Sequence, residues 1–152
     1  MNNSVVVDAN IALKWVLTEA DSSIARALLA EWTRKRIAIL APALLVYEVT
    51  NILYREVCTG KITFDTARNA INTILRAIAL DFSQNSGLNL RAMTLANEFG
   101  LPASYDTHYL ALAEREDCEL WTADTRMWRV VKGQLDWVHC LADYSASESQ
   151  EL

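Results

Sequence analysis

The run Ser4-Val5-Val6-Val7-Asp8-Ala9-Asn10 constrains the fold more than any other stretch of this chain. Three consecutive β-branched residues, with no polar residue alternating between them, suit a short strand that is buried on both faces. A carboxylate follows at once, and residues 9–16 then read as helix. Asp8 therefore stands where a strand hands over to a helix, the rim at which open α/β sheets bind ligands. Aspartate is also a favoured helix cap and turn residue, so this position alone assigns it no function. Partners elsewhere in the chain have to decide.

The remaining chain alternates short apolar runs with helical periodicity. Asp21 is placed to cap a helix reaching Arg34, with Ile24, Ala27, Leu28 and Trp32 on one face, and the basic run Arg34-Lys35-Arg36 reads as its solvated, dipole-complementing end. Residues 37–40 form a second strand stopped by Pro42. Residues 43–58 read as a strong helix closed by Gly60, and Thr63 caps another over 64–79, which makes the two an αα-hairpin. Residues 80–82 suggest a brief third strand. A helix over 86–99 ends at Gly100, and Ser104 is placed to cap the next, which runs to Glu116. Residues 119–122 and 136–140 complete the strands, with a helix over 125–131 between them. Strands alternating with helices argue for a parallel sheet covered on both faces. The strand ends after Val7 and Thr122 then lie on one rim, which gives Asp8 and Asp124 a reason to be neighbours.

At 152 residues there is room for one domain, expected over 1–142, followed by a polar Ser- and Glu-rich tail over 143–152 expected to be disordered. Cys58, Cys118 and Cys140 are odd in number and lack any CxxC pair, which suits free thiols in a reducing cytoplasm and not a zinc knuckle. No apolar run approaches the roughly 20 residues of a membrane span, and the start of the chain lacks a signal-peptide layout. A net charge of −5 does not favour nucleic acid through a broad basic face, but it suits a protein that gathers acids around a cation.

Two further acids occupy unusual places. Glu48 lies inside the helix over 43–58, with Leu44, Leu45 and Ile52 on its face and Arg55 two turns away. Asp106 sits in a first helical turn, with Tyr109, Leu110 and Ala113 on its face. Each has a plain explanation: a boundary salt bridge for Glu48, the helix dipole for Asp106. His108 points elsewhere around the helix from Asp106, and His139 is an isolated strand residue without ligand spacing. If Asp8, Glu48, Asp106 and Asp124 meet, at least one pKa must rise unless a cation is present, and an all-carboxylate site suits Mg²⁺ or Mn²⁺.

Val-Val-Asp8-Ala-Asn10, Glu48-Val-Thr-Asn51-Ile-Leu, Tyr105-Asp106-Thr-His-Tyr-Leu-Ala-Leu-Ala113 and Leu120-Trp-Thr122-Ala-Asp124-Thr-Arg126, in this order, resemble a PIN domain. The closer resemblance is to the VapC-type toxin ribonucleases of toxin–antitoxin pairs, over residues 5–141. It implies a three-layer α/β/α sandwich with a parallel sheet in the order 3-2-1-4-5. It also implies a divalent-metal-dependent endoribonuclease leaving 5′-phosphate and 3′-hydroxyl ends, commonly dimeric, silenced by a cognate antitoxin and in contact with DNA only through it. Carried over, Asp8, Glu48, Asp106 and Asp124 form the acidic quartet, with Asp8, Asp106 and Asp124 as metal ligands. Asn10, Asn51 and Thr122 become supporting positions. Arg126, Arg129 and Lys132 can help hold RNA, although helix solvation explains most of them. Trp121 is bulkier than the family pattern, and His108 stands where a small residue is common. The rival readings are a metal-dependent DNA nuclease or other phosphoesterase, a non-catalytic interaction module, and a phosphoacceptor domain, the last lacking its usual lysine after a late strand.

Overall fold

The computed structural model describes residues 3–83, 86–142 and 144. The Val5–Val7 side chains are at most 3 % exposed and form the centre of strand β1 (Ser4–Val7). Burying each valine contributes about 1.5–3 kcal/mol relative to leaving it in water. Helix α1 (Ala9–Val16) follows directly, then α2 (Ser22–Arg34), β2 (Ala38–Pro42), α3 (Leu44–Cys58), α4 (Phe64–Ala77) and β3 (Ala79–Asp81). The second half comprises α5 (Ser86–Glu98), α6 (Tyr105–Glu116), β4 (Glu119–Thr122), α7 (Thr125–Val131) and β5 (Val138–Cys140). All five strands are parallel, in the order β3-β2-β1-β4-β5. The order reverses between β1 and β4, so their C-terminal ends face a crevice that no crossover helix covers.

Helix α6 packs on β1, β2 and β4, and carries an unbroken buried run from Tyr109 to Ala113. Helix α5 lies against it, tied at the surface by the fork of Arg91 on Glu114 at 2.7 and 2.9 Å. Helices α1, α3 and α4 pack on one another, and α2 on α1. Among the described residues no helix is long and apolar enough to cross a membrane. Cys58, Cys118 and Cys140 are free thiols, with only Cys58 exposed.

Several local expectations shift. Strand β2 runs through Pro42 instead of stopping before it, because proline is tolerated as the terminal residue of a strand. Helix α4 ends two residues early and β3 begins one residue early, while β5 is confined to three residues. Asp21 does not cap α2: it adopts a left-handed conformation at φ 64° and makes no capping bond. Ser22 locks that turn instead, donating to the Leu17 carbonyl and accepting from Glu19 N–H, both at 2.9 Å. Ser104 likewise offers no side-chain cap to α6; its carbonyl accepts from the Thr107 hydroxyl at 2.9 Å and the His108 ring at 2.6 Å. Thr63 does cap α4, and Gly60 and Gly100 take the left-handed φ values of 75° and 64° that their terminal positions require. Most of the 143–152 tail lies outside the described residues; Tyr144 packs edge-on against Trp121 at 5.3 Å between ring centroids.

Candidate active site

Asp8 and Asp124 both do the plain job expected of an aspartate at a helix start, and neither is used up by it. Asp8 caps α1 with one oxygen, Oδ1, which accepts from Ile11 N–H at 2.9 Å. Its Oδ2 accepts from the Thr122 hydroxyl at 2.5 Å and from Ala123 N–H at 3.3 Å, across the β1–β4 seam. Asp124 caps α7 through Oδ1, accepting from Arg126 and Met127 N–H. Thr122 joins the two: while donating to Asp8 it accepts from Asp124 N–H at 2.9 Å. A fully buried hydroxyl thus holds the Asp8 carboxylate and fixes the backbone at Asp124.

Asp106 approaches from the first turn of α6, half-buried, and exchanges a hydrogen bond with Asp124. Burial raises its pKa to about 7, helped by Asp124 and then by the charges of Asp8 and Glu48. Carboxylates brought this close repel one another when ionised, which favours the protonated form of Asp106. Burial also raises Asp8 to about 6, against the opposing pull of the bonds from Thr122, Ile11 and Ala123. All four acids expected from the sequence therefore lie within electrostatic reach of one another.

Glu48 is held in a way its sequence neighbourhood does not suggest. It stands at the edge of the α3 core stripe formed by Leu45, Val49 and Leu53, and its partner is a hydroxyl, not the cation expected of a boundary salt bridge. Tyr109, only 1 % exposed, donates to Glu48 Oε1 at 2.5 Å, within the range of a charge-assisted O–H···O⁻ bond. Burial, followed by that bond and the negative charges of Glu48, Asp8 and Asp106, drives the Tyr109 pKa far upward, so the phenol stays a donor. Tyr109 was not singled out for the site from sequence; its place three residues after Asp106, on the same helix face, was the available signal.

The other expected positions sort less uniformly. Asn10 and Asn51 are exposed and, among the described residues, make no hydrogen bond to the four acids. Arg126, Arg129 and Lys132 are exposed on and just after α7, with Lys132 lying 5.0 Å from the Trp128 ring centroid. His108 turns to the Ser104 carbonyl, as its two-residue offset from Asp106 requires. His139 stacks on Trp121 at 5.0 Å and faces Glu119 at 3.4 Å, a sheet histidine away from the acids.

Among the described residues no three His, Cys, Asp or Glu side chains stand ready-made to ligate one ion. Asp8 Oδ2 accepts from Thr122 and Ala123, and Asp106 has Asp124, Asp8 and Glu48 among its neighbours. The donor set nevertheless fits a hard divalent cation, being all carboxylate oxygen and short of positive charge.

A parallel α/β fold with an acidic centre at its topological switch point defines the class of protein. The chain belongs to the PIN-domain family, whose profile matches residues 5–133. It is similar in structure to PAE2754 from Pyrobaculum aerophilum, with 23 % identity over 87 % of this chain and 89 % of that one and a TM-score of 0.65. A second similar structure is VapBC2 from Rickettsia felis bound to a DNA fragment from their promoter, with 14 % identity over 82 % of this chain and 90 % of the matched one, at a TM-score of 0.58. No curated protein matches the sequence at a significant level. PIN domains are in general nucleases, typically using divalent metal.

Proposed function

We propose that this protein is a divalent-metal-dependent endoribonuclease of the VapC type, the toxin of a toxin–antitoxin pair. The convergence of Asp8, Glu48, Asp106 and Asp124 carries the reading: burial, and after it the three other acids, raise the pKa of Asp106. Resemblance to a VapBC2 complex supports a protein antitoxin as partner, and a homodimer is the expected assembly. Asp8, Asp106 and Asp124 are the proposed ligands for Mg²⁺ or Mn²⁺, with Glu48 acting through water or a second ion. When bound, such an ion supplies Lewis-acid polarisation of a phosphodiester and acidifies a water molecule. The chain's own contributions are positional. Thr122 holds the Asp8 carboxylate in place, and Tyr109 holds that of Glu48. Asp106, whose pKa burial and the neighbouring acids raise to about 7, must give up its proton to face a cation. Asn10 and Asn51, exposed nearby in sequence, remain available for contacts with the RNA.

The test is cleavage of single-stranded RNA, single-stranded DNA and duplex by the antitoxin-free protein in Mg²⁺ or Mn²⁺. RNA cleavage abolished by chelator is expected; full activity in excess chelator would defeat the metal assignment. Preference for DNA would transfer the site to a different nucleic acid, and absence of all cleavage would leave a binding module.

A further inference from the structure

Five aromatic side chains are exposed among the described residues, and three of them line one cleft. Tyr47, Phe82 and Tyr105 are 74 %, 70 % and 64 % exposed around a space of about 300 Å³. Tyr47 immediately precedes Glu48 on α3, and Tyr105 immediately precedes Asp106 on α6. The two helices that deliver acids to the centre therefore also deliver rings to this cleft, one residue away along each helix. We propose that this cleft is a nucleobase-stacking subsite, seating a base of single-stranded RNA next to the acidic centre.

The inference rests on the nuclease reading above and deepens it by naming how the substrate is held. Its first support is position along the sheet rim. The cleft lies at the C-terminal ends of β2 and β3, where Pro42 and Asp81 line it. The exposed Arg126, Arg129 and Lys132 follow the opposite strand, β4, and the acids lie between at β1 and β4. A polynucleotide crossing the rim would meet cations on one side of the acids and aromatic faces on the other. The second support is charge. At −5 the chain offers little long-range attraction to a polyanion, so affinity must come from short-range contacts. Stacking on aromatic faces is such a contact, and it tolerates any base because each has a π-face. The third is mixed chemistry: Asn89 and His108 line the same cleft and offer polar groups to a base edge. The remaining exposed aromatics, Tyr54 and Phe64, line a separate and almost wholly apolar groove with no such groups beyond Thr50 and Arg68.

The experiment compares wild type, Tyr47→Ala/Tyr105→Ala and Tyr47→Phe/Tyr105→Phe on two substrates in Mn²⁺. One is a single-stranded RNA carrying 2-aminopurine; the other is an abasic ribose-phosphate oligomer of equal length. Truncating exposed rings should leave the fold intact. The alanine pair is expected to raise KM for the RNA about 10- to 100-fold and to leave cleavage of the abasic oligomer unchanged, with the phenylalanine pair close to wild type. The wild type should quench 2-aminopurine on binding, and the alanine pair should not. Equal loss on both substrates, or none on either, overturns the subsite. If the wild type cuts neither substrate, the nuclease reading fails, and tyrosine-dependent quenching alone decides the subsite. Unquenched fluorescence overturns it. A change in mass by light scattering with unchanged RNA affinity also overturns it, and assigns the cleft to contact between copies.

Discussion

Asp8 and Asp106 are the same residue type in the same site, both titrating well above an ordinary aspartate, and they arrive there for different reasons. Asp8 is buried, but it accepts three hydrogen bonds from Ile11, Thr122 and Ala123, which work to keep it ionised. Asp106 is less buried, yet its neighbours are Asp124, Asp8 and Glu48, so its surroundings add to the effect of burial. One acid is anchored by donors; the other is surrounded by acids. The difference teaches that the β1–β4 seam satisfies its carboxylate from within the fold, whereas the α6 side leaves its carboxyl among like charges.

Neutralising each acid in turn offers the sharpest way to break this contrast. Asp8→Asn and Asp106→Asn are both expected to lower RNA cleavage on the order of 10³-fold or more. Without metal at pH 8 they should differ in melting temperature. Asp106→Asn removes repulsion and should raise it clearly. Asp8→Asn should raise it less, because an amide nitrogen in place of Oδ2 meets the Ala123 N–H, a donor facing a donor. Equal gains would erase the distinction.

The pH profile of stability comes next. Both acids hold protons more tightly in the fold than at the reference value of 3.8, so their protonated forms stabilise the native state fully below about pH 4. That contribution is lost as pH rises through about 6 for Asp8 and about 7 for Asp106. For the buried Asp8 the loss is on the order of 3 kcal/mol. Urea unfolding of metal-free protein should show stability falling from pH 4 to pH 8, and millimolar Mn²⁺ should offset the fall by mass action. A flat profile without metal would contradict the burial of Asp8.

Smaller effects are expected from the two hydroxyls. Thr122→Val removes a donor to Asp8 and the acceptor for Asp124 N–H, and should cost about 2 kcal/mol at pH 8, less at pH 5 where Asp8 is protonated. Tyr109→Phe should cost about 1 kcal/mol, since the partly buried Glu48 keeps some access to water. Urea titrations of the two variants side by side would show whether the seam is the more rigid half.

Much of this was legible before any coordinates. The Val5–Val7 run, the Thr63 cap and the glycines at 60 and 100 rest on short-range preferences, and local signals suffice where the competitors are also local. The expected caps at Asp21 and Ser104 are not made: Asp21 takes a left-handed conformation in a turn that Ser22 closes, and Ser104 serves through its carbonyl, which accepts from Thr107 and His108. The sheet order came from resemblance, whereas the four acids stood out by their places at strand ends and on helix faces, and resemblance supplied their roles. The partner of Glu48 was out of reach because Tyr109 lies 61 residues away on another helix.

The amino-acid order alone determined which segments are strands and helices, and that carboxylates stand at two strand ends, because those features depend on neighbours a few residues apart. Only the folded chain decided that Thr122 clasps Asp8, that Asp106 comes up against Asp124, and that Tyr109 secures Glu48. Each of these bonds spans a crossover or a layer. Their geometry exists only once the sheet has closed its β1–β4 seam and α6 has packed across it.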